Sequence, residues 1–146
     1  MSRYINLIGQ NAKKASLEKI NTKLKNKILK RYISLLDKEQ NSIIKENTKD
    51  LKFALKKRLK KNLIDRLTIN HNKLDTIKAS INKIIKLKDP IDNTLEQWNR
   101  PNGLRIKRVS IPIGVIGVIY ESRPNVTSDV ASLCFKSGNA VILKGG

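Results

Sequence analysis

Apolar residues recur at intervals of three and four positions through the first ninety residues, a spacing typical of amphipathic helices. Asn21-Thr22 interrupts the pattern, and Asp89-Pro90 ends it, because the residue before a proline is disfavoured in the helical conformation. The apolar stripes predict five helical pieces: Met1 to Ala15, Leu24 to Leu36, Ile43 to Leu55, Leu63 to Leu67 and Leu74 to Ile85.

The pattern changes after residue 92. Residues 93–103 are rich in turn-forming residues, whereas residues 104–110 alternate in part between apolar and polar side chains, as a strand does. Trp98, the only tryptophan, is predicted to be a packing anchor for this long connection. The region is therefore interpreted as a connection that leads into a strand.

Residues 113–146 carry a different signal. The apolar run from Ile113 to Tyr120 predicts a strand covered on both faces, and close packing is the interpretation of its two glycines, Gly114 and Gly117. Residues 140–143 predict a second strand. Because a helix lies between the two, they are expected to pair in parallel through a right-handed crossover.

The connecting helix is predicted to begin near residue 125, with Asn125 as its cap and Asp129 in its first turn, where a carboxylate suits the helix dipole. Gly138 is expected to end it in a left-handed conformation. Its apolar residues predict one buried stripe: Val126, Val130, Leu133 and Cys134. The fold class is α/β, with a helical N-terminal subdomain at 1–92, a connection and strand at 93–112, and an incomplete α/β segment at 113–146.

The composition limits the possible classes of protein. A chain of 146 residues can hold one domain with a core, and no apolar run of about 18 residues is present to cross a membrane. The start lacks the pattern of a signal peptide. A single cysteine allows no internal disulfide, which suits a reducing cytoplasm. We expect a soluble cytoplasmic protein and predict no metal site.

The net charge of +19 raises the possibility of a nucleic-acid partner. Residues 1–100 carry 25 basic and 10 acidic side chains, so the helical half alone holds +15. Against this reading, the lysines surround the predicted helices instead of lining one face, and aromatic residues for base stacking are scarce. A solvated basic surface is the favoured interpretation, and a nucleic-acid-binding module is the alternative.

Cys134 is the only candidate for a thiol nucleophile. It lies on the apolar side of the predicted helix, and the only histidine, His71, is distant in sequence. A cysteine among apolar neighbours has a raised pKa and behaves as a small hydrophobic residue. Cys134 is therefore interpreted as structural.

Two segments resemble a known family closely: RVSIPIGVIGVIYESRPNVT at 108–127 and KSGNAVILKGG at 136–146. Both are similar to the gamma-glutamyl phosphate reductase family (glutamate-5-semialdehyde dehydrogenases), a branch of the aldehyde dehydrogenase superfamily. Weaker similarities occur at 12–16, 46–50 and 63–67. The resemblance covers essentially all 146 residues but only the N-terminal part of such an enzyme, so an aldehyde dehydrogenase-like, truncated fold is implied.

The resemblance implies a reaction. Enzymes of this family reduce L-glutamate 5-phosphate to L-glutamate 5-semialdehyde and phosphate in proline biosynthesis, with NADPH as the hydride donor. A cysteine thiolate displaces phosphate, and the resulting thioester accepts the hydride. The family's nucleophilic cysteine is expected downstream of Gly146, so no catalytic residue is assigned to this chain and the isolated chain is expected to be inactive.

The resemblance also implies parts of a cofactor site. Lys144, at the end of the second strand, resembles the superfamily lysine that reaches the adenosine ribose and could meet the 2′-phosphate of NADPH. Val118, Ile119 and Tyr120 are expected to line the cofactor groove. Gly114 and Gly117 do not form a dinucleotide-binding fingerprint.

Three further residues are candidates for the substrate or oxyanion site. Glu121 occupies the position where many aldehyde dehydrogenases place an oxyanion-binding asparagine, and a carboxylate there would repel developing negative charge. Asn125 could substitute for that donor. Together with Arg123 and the free amides at the helix start, it could bind the acyl phosphate or the glutamate carboxylate.

The connection also has a meaning within the family. In aldehyde dehydrogenase relatives the corresponding strands form an arm that pairs with a neighbouring subunit, so the resemblance implies a homo-oligomer. The alternative is an ordinary edge hairpin. A further reading is an interaction fragment that pairs with intact subunits through residues 95–110.

Overall fold

The computed structural model describes residues 3–121 and 123–145. In chain order the elements are α1 (Arg3–Ser16), α2 (Thr22–Lys56), α3 (Lys61–Leu67), α4 (His71–Lys86), β1 (Thr94–Asn99), β2 (Arg105–Val109), β3 (Val115–Ile119), α5 (Pro124–Lys136) and β4 (Ala140–Lys144). Met1, which the sequence assigned to the first stripe, lies outside the described residues. No helix in the described ranges is both long enough and apolar enough to span a bilayer.

The long helix α2 replaces two of the predicted helices. It begins where expected, because the Asn21 side-chain oxygen accepts a hydrogen bond of 2.9 Å from the Leu24 amide and caps it. It then continues without a break through residues 37–42, which were expected to separate two helices. That prediction was wrong because these six residues are all polar and interrupt the apolar stripe, but they include no glycine or proline to end a helix.

The core lies where α2 and α4 pack together. Leu29 of α2 meets four residues of α4, and Phe135 of α5 packs against the same cluster. The α4 members are all buried, as the spacing predicted: Leu74, Ile77, Ile81 and Ile84. An ion pair of 3.0 Å between Lys25 and Asp89 joins the start of α2 to the residues after α4.

Strands β1 and β2 form an antiparallel hairpin separate from the other sheet. The predicted strand within 104–110 is present as β2, but residues 94–99, expected to be connection, form β1. Trp98 pairs with Ile106 and is 41% exposed, so it does not anchor a core. The sequence missed β1 because its polar residues give no apolar alternation, and cross-strand pairing alone holds it extended.

Strands β3 and β4 pair in parallel, with Val115 opposite Ala140 and Ile119 opposite Lys144, which confirms the predicted parallel pairing. Gly138 ends α5 at a φ of 70°. A Cβ at this position would lie 3.2 Å from the Pro112 side chain, so glycine is required for space as well as for conformation.

Two predictions about this unit need correction. Gly114 has a φ of 115°, and no atom lies within 4 Å of a Cβ built there or at Gly117, so conformation explains Gly114 and close packing explains neither glycine. The buried stripe of α5 is also polar: Leu133 is 47% exposed, and the buried residues beside Cys134 are Ser128, Ser132 and Lys136.

Hydrogen bonds explain why Lys136, the charged residue of this stripe, is buried. Its ammonium donates hydrogen bonds to the Asn26 side-chain oxygen at 2.7 Å and to the Ile85 carbonyl at 3.1 Å. Both acceptors belong to helices packed against α5. Because these partners satisfy the charged group, the helix can turn a lysine inward and a leucine outward.

Candidate functional site

The carboxyl ends of β3 and β4 meet the start of α5, which is where open α/β sheets bind ligands. The Tyr120 amide donates a hydrogen bond of 3.0 Å to the Lys144 carbonyl and extends the pairing beyond the strands. Most of the candidate residues from the sequence therefore lie at one edge of the parallel pair. We call this edge, formed by residues 119–121, 123–125 and 144–145, the strand-end site.

One face of the strand-end site combines an apolar side chain with a cation. Ile119 and Lys144 are direct partners in the parallel register, and Ile119 is 87% exposed. Lys144 is also exposed. Val118 pairs with Leu143 and is half-buried. Because successive strand residues point to opposite faces, Val118 lies on the other face of the sheet from Ile119.

Tyr120 connects the strand end to α5. Its hydroxyl is hydrogen-bonded to the Thr127 hydroxyl, and its ring lies 3.9 Å from where a Cβ of residue 145 would be. Thr127 and Gly145 were not singled out from the sequence. No local pattern marks either of them, because the contact joins three elements that only the fold brings together.

The start of α5 differs from the prediction. Arg123 is the N-cap residue and makes no side-chain capping bond, while Asn125 lies inside the helix and donates to the Asp129 carboxylate at 3.2 Å. Asp129 is the sixth helical residue and therefore lies beyond the first turn. Pro124 has no amide hydrogen, and the Val126 amide donates to the Arg123 carbonyl. Fewer free amides are left for an anion than the sequence suggested.

The two charged residues beside this helix start are open to solvent. Glu121 and Arg123 are both exposed, and no ion pair joins them within the described ranges. The guanidinium of Arg123 can approach an anion in solution. Glu121 can turn toward solvent, so its carboxylate is not forced against a bound anion.

Cys134 lies away from the strand-end site, on the buried side of α5. It is 7% exposed, and burial raises the pKa of its thiol. A raised pKa lowers the thiolate fraction at neutral pH, and thiolate is the nucleophilic form. The geometry therefore supports a structural role for Cys134.

An open groove of about 710 Å³ lies elsewhere, between α1, α2, α5 and β4. Its walls are mostly apolar, with Tyr32, Ser132 and two asparagines among the lining residues. None of the described residues that line it is charged. We therefore take the strand-end site, and not this groove, as the candidate functional site.

Comparison with solved structures identifies the fold class of the chain. Two solved structures share the fold: one from Thermotoga maritima, with a TM-score of 0.90 and 40% identity over 94% of this chain, and one from Saccharomyces cerevisiae, with a TM-score of 0.93 and 34% identity over 100% of it. The chain covers 34% and 38% of those two structures. The α/β, aldehyde dehydrogenase-like class expected from the sequence is confirmed.

Both solved structures are gamma-glutamyl phosphate reductases, and so are the curated relatives. The relative from Nautilia profundicola is 51% identical over 127 residues, and that from Nitratiruptor sp. is 47% identical over 135 residues. These alignments cover 87% and 92% of the chain. No family model matches the chain.

The chain belongs to the gamma-glutamyl phosphate reductase family and corresponds to its N-terminal part. It spans about a third of the length of the curated relatives it matches. The family expected from residues 108–127 and 136–146 is thus confirmed.

Proposed function

We propose that this chain provides cofactor-binding residues for the NADPH-dependent reduction of L-glutamate 5-phosphate to L-glutamate 5-semialdehyde and phosphate, a step of proline biosynthesis. The observation that carries the proposal is the β3–α5–β4 crossover, which gathers Ile119, Tyr120 and Lys144 at one carboxyl edge. The names of the relatives support the reaction, because a gamma-glutamyl phosphate reductase is an oxidoreductase acting on that acyl phosphate.

The residues at the strand-end site fit a nicotinamide dinucleotide. The exposed Lys144 ammonium can pair with the ribose hydroxyls and the 2′-phosphate, and the exposed Ile119 offers an apolar surface beside it. The Tyr120 hydroxyl, bonded to Thr127, holds the start of α5 against the strand ends. Val118 supports the same strand from the opposite face. When bound, NADPH supplies the hydride.

Arg123 and Asn125 are our candidates for binding the acyl phosphate or the glutamate carboxylate. Arg123 is exposed at the helix start, and a guanidinium can bind either anion through two hydrogen bonds. The side-chain NH2 of Asn125 donates one hydrogen bond to Asp129, and its second hydrogen can be donated to an anion. Glu121 faces the same edge, and its carboxylate makes it a poor oxyanion donor.

The catalytic nucleophile is assigned to the part of the relatives that this chain does not span. The thiol of Cys134 is buried and its pKa is raised, so it is unsuited to attack an acyl phosphate. The proposal therefore predicts no turnover by the 146-residue chain alone. Incubation with L-glutamate 5-phosphate and NADPH, followed by absorbance of the nicotinamide, checks this, and NADPH oxidation that depends on Cys134 would contradict it.

We also propose that the family enzyme is a cytoplasmic homo-oligomer and that the β1–β2 hairpin takes part in its assembly. Every residue of β1 is exposed, and the hairpin exposes large apolar side chains to solvent. These are Leu95, Trp98, Leu104 and Val109. Such a surface is suited to pairing with another subunit.

Lys144→Ala tests the cofactor site directly. In a ¹⁵N-resolved NMR titration of the chain with NADPH, the largest shifts are expected at residues 119, 120, 144 and 145. Lys144→Ala should weaken binding by at least about tenfold, because a charge-assisted contact to phosphate contributes about 1.5–3 kcal/mol. NADH, which lacks the 2′-phosphate, should bind less tightly to the unmodified chain.

Lys107→Ala is the matched control, since Lys107 is another exposed strand lysine, located on β2. It should bind NADPH as the unmodified chain does. Shifts confined to the helices, or equal losses in the two variants, would remove the strand-end site from the proposal.

A further inference from the structure

A dense basic cluster lies where α2 ends and α3 begins. Residues 52–61 contain six basic side chains and no acidic one. All six are exposed: Lys52, Lys56, Lys57, Arg58, Lys60 and Lys61. Within residues 3–121 and 123–145, none of them takes part in an ion pair, whereas Lys25, Lys49 and Lys78 each have a carboxylate partner.

The backbone is locally strained within this cluster. Arg58 has a φ of 53°, a left-handed conformation that glycine adopts with less strain. The Leu59 and Arg58 amides donate to the carbonyls of Ala54 and Leu55, so this residue closes the helix in a Schellman motif. Glycine is favoured at such a position, but the chain has an arginine there, which adds a long cationic side chain.

The start of α3 breaks a second local rule. Lys60 is its N-cap residue without a side-chain capping bond, and Lys61 follows, with no carboxylate in the first turn. Cations at this end oppose the helix dipole. Departures from local preference that coincide at one place are expected at functional positions. A bound polyanion would neutralise the cations and offset the repulsion.

An aromatic ring lies inside the cluster. Phe53 is 62% exposed, and the Lys57 ammonium lies 5.6 Å from its ring centroid. We propose that residues 52–61 bind single-stranded nucleic acid, with one base stacked on Phe53 and the surrounding cations on phosphates. Composition alone had favoured a solvated surface. The structure adds six exposed cations that have no carboxylate partner among the described residues, one of them 5.6 Å from the centroid of an exposed ring.

Single strands fit this surface better than a lipid bilayer does. Insertion into a bilayer requires a continuous apolar face. Phe53 and Leu55 are two residues apart on α2, which places them about 200° apart around the helix axis. The exposed side chains of Phe53 and Leu55 therefore point to different sides of α2 and do not form one continuous apolar face, whereas one ring with adjacent cations suffices to stack one base.

The test measures fluorescence anisotropy of a labelled 15-nucleotide oligo(U) with the full chain at several salt concentrations. In the cluster variant, Lys56, Lys57 and Lys60 are each changed to glutamine. The expected result is at least a tenfold loss of affinity at low salt. The magnitude of the slope of log affinity against log salt concentration should fall by about 2, because each of the three lost cations contributes about 0.7.

The control variant changes Lys23, Lys27 and Lys30, exposed lysines near the start of α2, to glutamine and removes the same charge. Its affinity for the oligonucleotide should fall by less than threefold. Equal losses in the two variants would show that only bulk charge matters and would overturn the proposal. Helical circular dichroism verifies that both variants fold. In the unmodified chain, the oligonucleotide should also protect Lys57 and Lys60 from acetylation, and unprotected lysines would contradict the proposal.

Phe53→Leu separates nucleic acid from lipid. Leucine keeps an apolar side chain but cannot stack, so affinity for the oligonucleotide should fall about tenfold. Vesicles containing phosphatidylserine provide the comparison. Binding to them that exceeds binding to oligo(U), unaffected by Phe53→Leu, would assign the cluster to membranes instead and reject the nucleic-acid proposal.

Discussion

The α2–α4 helix pair and the β1–β2 hairpin are stabilised in different ways. The helix pair encloses five buried apolar residues and is supported by the Lys25–Asp89 ion pair. The hairpin has an extensive backbone register, from Thr94 opposite Val109 to Asn99 opposite Arg105, but none of its residues is buried. Backbone hydrogen bonds replace hydrogen bonds to water and so contribute little net stability. The burial of apolar side chains contributes most of the stability. Stability should therefore be concentrated in the helices.

The largest effect is expected from Ile81→Ala in α4. Ile81 is fully buried, and the substitution should lower the free energy of unfolding by about 4 kcal/mol through lost burial and the cavity left behind. For a chain of this length the melting temperature should fall by on the order of 10 °C. Urea denaturation measures the change.

Ile119→Ala is the matched control for Ile81→Ala, because Ile119 is 87% exposed. Ile119→Ala should change the free energy of unfolding by no more than about 0.5 kcal/mol. Similar losses at the two positions would mean that the helix pair is not the main source of stability.

An intermediate effect is expected at Asp89. Burial disfavours the charged carboxylate, but hydrogen bonds from Thr22, Lys25 and the Ile91 amide outweigh it and hold the pKa of Asp89 below its ordinary value. Asp89→Asn should lower the free energy of unfolding at pH 7 by roughly 2 kcal/mol, because it leaves the buried Lys25 ammonium without a counter-charge.

The pH dependence follows from the lowered pKa. The contribution of Asp89 is fully present above the unfolded-state pKa of about 3.9 and is lost as the pH falls toward the folded-state value. The difference in stability between the unmodified chain and Asp89→Asn should therefore be the same at pH 7 and pH 5 and smaller at pH 3, as measured by denaturation curves at each pH. Glu46→Gln, in an exposed pair with Lys49, should change stability by less than about 0.5 kcal/mol at every pH.

The same contrast explains which parts of the fold could be predicted. The spacing of apolar residues located α4 and its four buried side chains, because a helix buried on one side repeats apolar residues every three or four positions. The continuous apolar runs located β3 and β4. The polar strand β1 has no such apolar pattern. The inward turn of Lys136 depends on Asn26 and Ile85, which lie 110 and 51 positions away.

The strand-end site shows the same limit. The motif placed Lys144 and residues 119–121 at strand ends, and the fold brings them together. The cap assigned to Asn125 was wrong because Pro124 starts the helix one residue earlier and Asn125 bonds to Asp129 instead. The Tyr120–Thr127 contact depends on the angle between β3 and α5, which no local pattern encodes.

The smallest effect is expected from Trp98→Ala in the hairpin. Trp98 is 41% exposed, so a chain that stays monomeric should change its free energy of unfolding by no more than about 0.5 kcal/mol, despite the loss of its largest side chain. Backbone amides of β1 should exchange hydrogen faster than those of α4, since local opening exposes no core. A loss above 2 kcal/mol that grows with protein concentration would instead show that the hairpin is buried between copies, because only association makes stability depend on concentration.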